Sequence, residues 1–440
     1  MPAFQDVLSL VVLIGVMILI HELGHYLAAR WFDVQIDVFS FGFGPRLFGF
    51  RKGETDFRVS AIPFGGYVKM AGEQSTDENV GDPRAFLAKP RWQRLVIAFS
   101  GPAMNIVLAV GLLTGLYMVK FPKMPSSAME GVIGYVTPGS PAAKAGIREG
   151  DRILTIDNLR NPTWEDIYIR EVSNANRPLD VRISRAGNEF WLSVTPVLEQ
   201  RTGLGSAGWQ EQGEVQVAAV SRGMPAEKAG LKKGDVLRSA NGQQLRSVHG
   251  LHEVISASGG KPVTIEYLRD DRQYRAVIQP VYTQDPPSSP ARWMIGVLPQ
   301  PRVIMTQLPF VQALRESAQQ NLKNATLIYQ FLRGIAERRM SARSIEGPIG
   351  IARLSGDAAR EGAVAFFALM AVVSLNLAVF NLLPIPILDG GVIVLLLVEM
   401  LMRRDLSLRV KEAVFKLGFV FLMAVMAFVL YNDISKMLPG

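Results

Sequence analysis

Residues 7–25 read VLSLVVLIGVMILIHELGH, so that fourteen uncharged residues run directly into His21-Glu22-Leu23-Gly24-His25. A helix through this stretch would place His21 and His25, four positions apart, on one face. Two neutral imidazoles at that spacing can bind one Zn²⁺, and Glu22 beside them could take a proton from a water at the metal. Ionisable groups continuous with an apolar span are costly in lipid and usually functional. The motif therefore predicts a metal site; the alternative is a polar helix end at the lipid boundary.

The overall composition favours a membrane protein. Of the 440 residues, 49% are hydrophobic and only 20% are charged, whereas soluble domains carry about 25% charge. Besides 7–20, three further stretches are apolar: 95–119, 363–398, which is interrupted by Asp389 alone, and 417–430. A helix needs roughly 20 apolar residues to cross a hydrocarbon core of about 30 Å. The sequence therefore predicts a polytopic α-helical membrane protein with four transmembrane helices.

The same composition excludes several functional classes. The chain contains no cysteine, so disulfide scaffolds, thiolate metal sites and cysteine nucleophiles are ruled out. Its net charge is +8 without a long Lys/Arg run, so no nucleic acid is expected as a partner. Residues 1–6 contain no Lys or Arg, and no small-residue cleavage site precedes Arg30. The first span is therefore expected to be retained and not removed as a signal peptide.

The positive charges predict the orientation of the spans. Segment 30–94 holds ten Lys/Arg residues and segment 402–416 holds five, whereas the tails beyond the first and last spans hold none and one. Because such charges collect on the cytoplasmic side, both termini and the block 120–362 are expected outside. Fourteen residues at about 1.5 Å each would place His21 roughly 21 Å below the outer face. We therefore expect the metal site within the bilayer, nearer its cytoplasmic side.

The outer block contains an internal repeat. The pattern Pro141-Ala142-x-x-Ala145-Gly146-Ile147-x-x-Gly150-Asp151 recurs 84 residues later as Pro225-Ala226-x-x-Ala229-Gly230-Leu231-x-x-Gly234-Asp235. Each copy predicts a short helix ended by glycine, a tight turn at Gly-Asp and a β-rich segment, 152–156 or 236–238. The pattern resembles tandem PDZ domains, expected at 121–212 and 213–302, which capture peptide C-termini by strand addition. Two β-rich spacers without a ligand are the alternative.

Two smaller elements are predicted around the spans. Segment 55–72 alternates apolar and polar residues around Gly65-Gly66, which indicates a β-hairpin at the membrane, within a first membrane half at 1–120. Residues 310–338, within a connector at 303–362, place apolar residues at near-helical spacing. They predict an amphipathic helix that lies on the outer membrane surface, against the PDZ pair, or simply packed within the protein. The second membrane half is expected at 363–440.

A catalytic zinc takes three protein ligands, and most candidates for the third are badly placed. His249 and His252 lie in the outer block, and Asp33 and Asp37 fall beyond the first span in the basic segment. Asp389 is the single charge in a 36-residue apolar stretch. Such an aspartate needs a partner in the membrane, and a metal ion would supply one.

The neighbours of Asp389 also point to a site. The run Pro384-Ile385-Pro386 would break a helix, and Gly390-Gly391 permits close backbone approach. Irregular backbone at membrane depth is tolerated where it is buried in protein or lines a wet cavity. Asn381, in the same span, could hold a substrate carbonyl or stabilise a developing oxyanion. Its alternative role is an interhelical hydrogen bond.

These motifs together resemble the site-2 protease family of intramembrane zinc metalloproteases, in its bacterial form with two PDZ domains. The resemblance covers nearly the whole chain and rests on the HELGH motif, the tandem PDZ pattern and the run Asn381-Leu382-Leu383-Pro384-Ile385-Pro386-Ile387-Leu388-Asp389-Gly390. It implies zinc ligation by His21, His25 and Asp389, catalysis by Glu22 as base, and a substrate contact at Asn381. Many relatives carry a histidine after Leu-Asp-Gly-Gly, but this chain has Val392.

The resemblance also implies substrates and a location. Family members cut single-span membrane proteins that have already been shortened on the outer side, such as anti-sigma factors, and remnant signal peptides are a second substrate class. The expected location is a bacterial inner membrane, with the PDZ pair gating substrate entry and the Gly-Phe-Gly-Pro run at 42–45 near a membrane-embedded hairpin.

Two other functional classes remain open from the residues alone. One is a receptor in which PDZ domains bind peptides and the metal only clamps two spans together. The other is a metal transporter, which is disfavoured because the chain shows one ligand cluster and no inverted repeat of its spans. A site of two histidines and one aspartate would also accept Co²⁺ or Fe²⁺.

Overall fold

The computed structural model describes residues 2–73, 82–119, 121–123, 130–199, 203–284, 291–302, 304–337 and 345–437. Residues 303 and 338–344 of the predicted connector lie outside this set. The chain forms two compact units: Met1–Phe121, Gln307–Tyr329 and Ile345–Gly440 make the first, and Pro122–Thr306 with Gln330–Ser344 makes the second.

The first unit is mainly helical. Its elements are α1 (Pro2–Trp31), β1 (Ile36–Lys52), β2 (Thr55–Met70), a short 3-10 helix (Phe86–Ala88), α2 (Arg91–Met118), the first part of α7 (Phe310–Ala336), α8 (Pro348–Glu361), α9 (Ala363–Asn381), α10 (Asp389–Met402) and α11 (Leu408–Met437).

The structure confirms the four predicted apolar spans. Among the described residues, four helices are long and apolar enough to cross a membrane: Phe4–Trp31, Arg91–Met118, Ala363–Asn381 and Leu408–Ser435. The apolar stretch 363–398, however, is two helices. Pro384 and Pro386 have no N–H to continue the helical hydrogen bonds, so α9 ends at Asn381 and α10 begins only at Asp389.

The spans α1, α2 and α9 share an apolar core. Leu13 and Met17 of α1 and Met370 of α9 are almost completely buried, and Leu108 of α2 packs against them. Since lipid is as apolar as these side chains, helix association in a bilayer depends on close packing and on interhelical hydrogen bonds. One such bond joins Ser374 Oγ, which donates to the backbone oxygen of Asn105 at 2.9 Å.

The predicted hairpin exists with a different turn. Segment 55–72 does not fold back at Gly65-Gly66; instead β2 pairs antiparallel with β1, and the chain reverses at Gly53 between the paired residues Lys52 and Thr55. Residues 36–41 pair on one side with 66–70. Residues 38–41 pair on the other side with 56–59, which also pair with 48–51. The pairing partner is therefore the preceding strand β1, which the alternation within segment 55–72 could not identify. This arrangement leaves residues 66–70 at one edge of the sheet.

The second unit is rich in β-structure. Its elements are β3 (Phe121–Lys123), β4 (Ile133–Val136), α3 (Pro141–Lys144), β5 (Arg152–Ile156), β6 (Leu159–Arg160), α4 (Trp164–Ser173), β7 (Leu179–Arg185), β8 (Asn188–Val194), β9 (Val197–Leu198), β10 (Gly205–Ser206), β11 (Trp209–Glu211), β12 (Val215–Val220), α5 (Pro225–Lys228), β13 (Val236–Ala240), β14 (Gln243–Gln244), α6 (Val248–Ala257), β15 (Val263–Arg269), β16 (Arg272–Ile278), β17 (Val281–Thr283), β18 (Arg292–Met294), β19 (Val297–Pro301) and β20 (Ile304–Thr306).

This unit contains two modules, each with its own apolar core. Module 1 spans β4 to β11 and packs α4 against the sheet β6-β5-β7-β8 and the pair β11-β4. Module 2 spans β12 to β19 and packs α6 against a six-stranded sheet, in which β12 lies between β13 and β19. In each module the last strand thus pairs with the first: β11 with β4 and β19 with β12.

The sequence repeat corresponds to a repeated structure. In module 1, α3 is followed by Gly146 and Gly150 with positive φ and then by Asp151; Gly230, Gly234 and Asp235 follow α5 in the same way. Arg185 donates from Nε and Nη2 to the Asp151 carboxylate, at 2.7 Å in both bonds. Arg269, 84 residues later, makes the same two bonds to Asp235. Both aspartates are buried, so each arginine neutralises a carboxylate inside its module.

The predicted amphipathic helix is α7. In the first unit it packs against α2: Ser317 Oγ donates to the Val110 backbone oxygen at 2.8 Å, and Ala313 is fully buried. Leu322, five residues after Ser317, is 70% exposed. The helix therefore has one packed face, and its exposed surface carries several large apolar side chains: Phe310, Val311, Leu314, Leu322 and Tyr329.

We predict that Arg185→Leu destabilises module 1 by about 3–5 kcal/mol, because it leaves the Asp151 carboxylate buried without its partner. Arg182→Leu is the control: Arg182 pairs with Glu189 on the surface, and loss of an exposed pair costs about 0–1 kcal/mol. Urea-dependent proteolysis of the full chain in detergent measures both. Equal effects of the two substitutions would contradict the assignment.

Candidate metal centre

Helix α1 directs both histidines of the HELGH motif into the protein. Their side chains are buried, and their Nε2 atoms lie 3.2 Å apart. His25 Nδ1 lies 2.8 Å from the backbone oxygen of Ile97 on α2. Because that oxygen can only accept, Nδ1 carries the proton and donates, which leaves the Nε2 lone pair of His25 free for a metal ion.

Asp389 completes the cluster. Its Oδ2 lies 3.1 Å from Nε2 of His21 and its Oδ1 lies 3.5 Å from Nε2 of His25. Among the described residues these three side chains form the group whose ligand atoms lie within 4.8 Å of one another. Two imidazole nitrogens and one carboxylate are a donor set typical of catalytic zinc, so the residues present fit the ion that the sequence predicts.

The break between α9 and α10 brings Asp389 to this position. Asp389 is the first residue of α10, directly after the proline-containing turn. Ile387 in that turn has φ +86°, a conformation that is strained for a β-branched residue. Such strain persists where the surroundings enforce it and is concentrated at functional sites.

Two glycines permit the close packing around the histidines. A Cβ at Gly101 of α2 would lie 2.3 Å from His25 Nε2 and 2.8 Å from His21 Nε2. A Cβ at Gly24 of α1 would lie 2.3 Å from the Ser100 backbone oxygen. Glycine at these positions therefore allows α1 and α2 to approach until the α2 backbone lies beside the Nε2 atoms of both histidines.

A cavity of about 320 Å³ opens onto the cluster. Glu22, Asn381 and Val392 are among the residues that line it. Tyr67, Val68 and Met70 of β2 form part of its wall. The cavity is thus bordered by an edge strand and contains the residues expected to act on a substrate.

The structure does not bring the other sequence candidates to the cluster. Asp33 pairs with Arg84, and Asp37 accepts a hydrogen bond from Gln35. His249 stacks against Tyr135 in the second unit, and the His252 ring contacts His249. None of the four belongs to the metal-binding group of the described residues.

Asn105 of α2 is a site residue that the sequence analysis missed. It is fully buried, its Nδ2 lies 3.1 Å from Nδ1 of His21, and its Oδ1 has no hydrogen-bond partner among the described residues. Turning the amide by 180° lets Oδ1 accept the Nδ1 proton of His21, and the Nε2 lone pair of His21 is then free for a metal. The available signal was an amide within an otherwise apolar span, four residues after Gly101.

Comparison with known proteins identifies the family. Residues 9–425 match the model of Peptidase family M50. The chain belongs to Peptidase family M50. It is 31% identical over 451 residues to a protein of Xylella fastidiosa named as a candidate zinc metalloprotease, with 97% of each chain covered. It is 29% identical over 448 residues to the Regulator of sigma E protease of Haemophilus influenzae and 27% identical over 453 residues to the Regulator of sigma-E protease RseP of Salmonella typhimurium, with 98% of each chain covered.

Among solved structures, the PDZ domain of an SdrC-like protein from Listeria monocytogenes matches 20% of this chain and 90% of its own length, with 23% identity and a TM-score of 0.18. This likeness is too low to assign a fold to either module.

The family membership confirms three predictions made from the sequence. The chain is a member of the site-2 protease family, it is a metalloprotease, and its metal is zinc. Its four long apolar helices and its relationship to RseP of Salmonella typhimurium identify it as a membrane protein.

We predict that Asn105→Leu weakens zinc binding about 10- to 100-fold, the usual effect of removing the hydrogen-bond partner of a ligating histidine. Asn105→Asp keeps an acceptor for the His21 proton and should retain most of the affinity. Competition with a chromogenic zinc chelator measures both. Thr114→Val, which removes a buried hydroxyl elsewhere on α2, is the control. Unchanged affinity in Asn105→Leu would show that the amide does not orient His21.

Proposed function

We propose that this chain is an intramembrane zinc endopeptidase that cleaves the transmembrane segments of single-span membrane proteins. In this proposal His21, His25 and Asp389 bind the zinc ion, and Glu22 is the catalytic base. The observation that carries it is the convergence of these side chains on one cavity that lies between two apolar spans and an edge strand.

The chemistry follows from the residues that line the cavity. A zinc ion held by His21, His25 and Asp389 would polarise a scissile carbonyl and lower the pKa of water at the site to about 7. The Glu22 carboxylate accepts a proton from the attacking water and then delivers it to the leaving amine. The Asn381 side-chain amide donates to the substrate carbonyl and holds it beside the histidines. Asn105 and the Ile97 carbonyl keep the two imidazoles in the required tautomer.

A transmembrane helix must unwind before its peptide bonds can react, since its carbonyls are engaged in internal hydrogen bonds. Residues 66–70 lie at the sheet edge, and Tyr67, Val68 and Met70 line the cavity. We propose that this edge binds the unwound segment as an added strand. Each added backbone hydrogen bond then offsets one that the substrate helix loses.

The outer part of the chain selects substrates in this proposal. Modules 1 and 2 act as PDZ domains that gate entry, and the distribution of Lys and Arg supports placing them and both termini in the periplasm. The site then lies in the inner membrane, nearer its cytoplasmic side. The names of the Haemophilus and Salmonella relatives support anti-sigma factors, shortened on the outer side, as substrates. Remnant signal peptides are the second proposed class.

We predict that Glu22→Gln lowers the rate of substrate cleavage by about 10²–10⁴-fold, the usual contribution of a general base, while zinc content and fold are retained. The assay mixes purified protein in detergent with a truncated single-span substrate and counts fragments on a gel. A zinc chelator should abolish cleavage by the unmodified chain.

Glu412→Gln is the matched control for this experiment, because Glu412 is an exposed carboxylate of α11 that pairs with Lys416. It should cleave at the normal rate. Normal cleavage by Glu22→Gln would remove Glu22 from the mechanism, and intact substrate under every condition would favour the receptor function.

A further inference from the structure

A loop of backbone amides in module 1 binds a carboxylate of the same chain. The loop consists of Ala207, Gly208 and Trp209 and leads into β11. The Ala207 N–H donates to Oε1 of Glu171 on α4 at 2.6 Å, and the Trp209 indole N–H donates to Oε2 at 2.9 Å. The Gly208 N–H also hydrogen-bonds to this carboxylate. Two consecutive backbone amides and one indole thus hold a single side-chain carboxylate.

Module 2 contains the same loop without such a carboxylate. The carbonyls of Ala207 and Gly208 accept from Ala142 and Thr137, and those of Ile295 and Gly296 accept from Ala226 and Ser221, at 2.8–2.9 Å throughout. Gly208 and Gly296 both have φ +82°. Because the carbonyls of the two loops accept hydrogen bonds from equivalent residues, the two backbones have the same orientation. The N–H groups of the two loops therefore point in the same direction relative to their modules.

The helix opposite each loop explains the difference. The N-cap residues Thr163 of α4 and Ser247 of α6 are equivalent. Eight positions further lie Glu171 in module 1 and Ile255 in module 2. Ile255 is buried in the apolar core of module 2 and offers no acceptor. Within the described residues, the N–H groups of Ile295 and Gly296 have no hydrogen-bond acceptor.

We propose that the amide loop of module 1 is a binding site for the C-terminal carboxylate of a peptide, and that the chain's own Glu171 occupies it. Module 1 is therefore closed to peptide C-termini, whereas the matching loop of module 2 holds no side-chain carboxylate of the chain. This inference deepens the proposed role of the modules in substrate selection and rests on it for the class of ligand.

Burial and tethering make Glu171 an effective internal ligand. Its side chain is 8% exposed, and burial raises the pKa of its carboxyl to about 7, while its three hydrogen bonds favour the ionised form. A tethered group competes at an effective concentration in the millimolar range, so a peptide at micromolar concentration does not displace it. The adjoining cavity of about 570 Å³, lined by Tyr168 and Trp209 among others, remains available for peptide side chains once the carboxylate is removed.

The test counts peptide sites on the full chain in detergent at pH 8, where the carboxyl of Glu171 and the peptide terminus are both ionised. The probe is a fluorescent peptide with an apolar C-terminal residue, and the same peptide with an amidated C-terminus measures binding that does not need a carboxylate. The fluorescence anisotropy of the peptide, measured as the protein is titrated against it, gives the number of sites per chain. Glu171→Ala should bind one more peptide per chain than the unmodified protein, and the additional site should reject the amidated peptide at least about tenfold.

Glu171→Gln keeps the size of the side chain and protects the test against misfolding of the alanine variant. Its neutral amide should admit the additional peptide with weaker affinity than Glu171→Ala allows. Glu189→Ala, which removes an exposed carboxylate of module 1, should leave the number of sites unchanged. An equal number of sites in the unmodified protein and both Glu171 variants would overturn the proposal. The count does not depend on cleavage, so failure of the proposed protease chemistry would leave it unaffected.

Discussion

The carboxylate of Asp389 lies within 3.5 Å of the imidazoles of His21 and His25, and this contact joins the first apolar span to the last part of the chain. Its formation requires that a charge be buried between membrane helices, which is costly unless the charge is paired. The break after α9 supplies the geometry, because the chain must leave the helix at Asn381 before α10 can start at Asp389. A metal ion held by these three side chains would supply the compensating charge.

The small residues and amides around the cluster follow from the same requirement. A metal with three protein ligands must keep one position open for the reaction, so the fourth side cannot be filled by a side chain. Gly101 agrees with this requirement, because it places backbone without a side chain next to the two Nε2 atoms. Because the histidines are then in contact with α2, their remaining nitrogens must find partners on that helix, and Ile97 and Asn105 supply them.

The sequence predicted those features that depend on local spacing or on a charge in an apolar stretch. His21 and His25 were predictable because four residues make about one helical turn, and Asp389 because it is the single charge in its stretch. The break at Pro384 and Pro386 followed from the chemistry of proline. The turn at Gly65-Gly66 was wrong because strand pairing is a long-range property: 66–70 pair with 36–41, which no local alternation encodes. Asn105 was missed for a related reason, since only the packing of α2 on α1 brings it to His21.

The two modules share their buried ion pair but differ at one position that faces the amide loop. Asp151 and Asp235 with their arginines preserve the same buried ion pair across 84 residues, so the repeat maintains the scaffold. Glu171 and Ile255 occupy equivalent places opposite equivalent loops and differ in the one property that matters there, the presence of an acceptor. An isoleucine adds to the apolar core but leaves the loop N–H groups without an acceptor. A buried N–H group without a hydrogen bond costs free energy. A carboxylate satisfies them within the chain. The loop of module 1 is therefore stabilised by hydrogen bonds within the chain, whereas the loop of module 2 has N–H groups without an acceptor among the described residues. A ligand carboxylate can supply that acceptor.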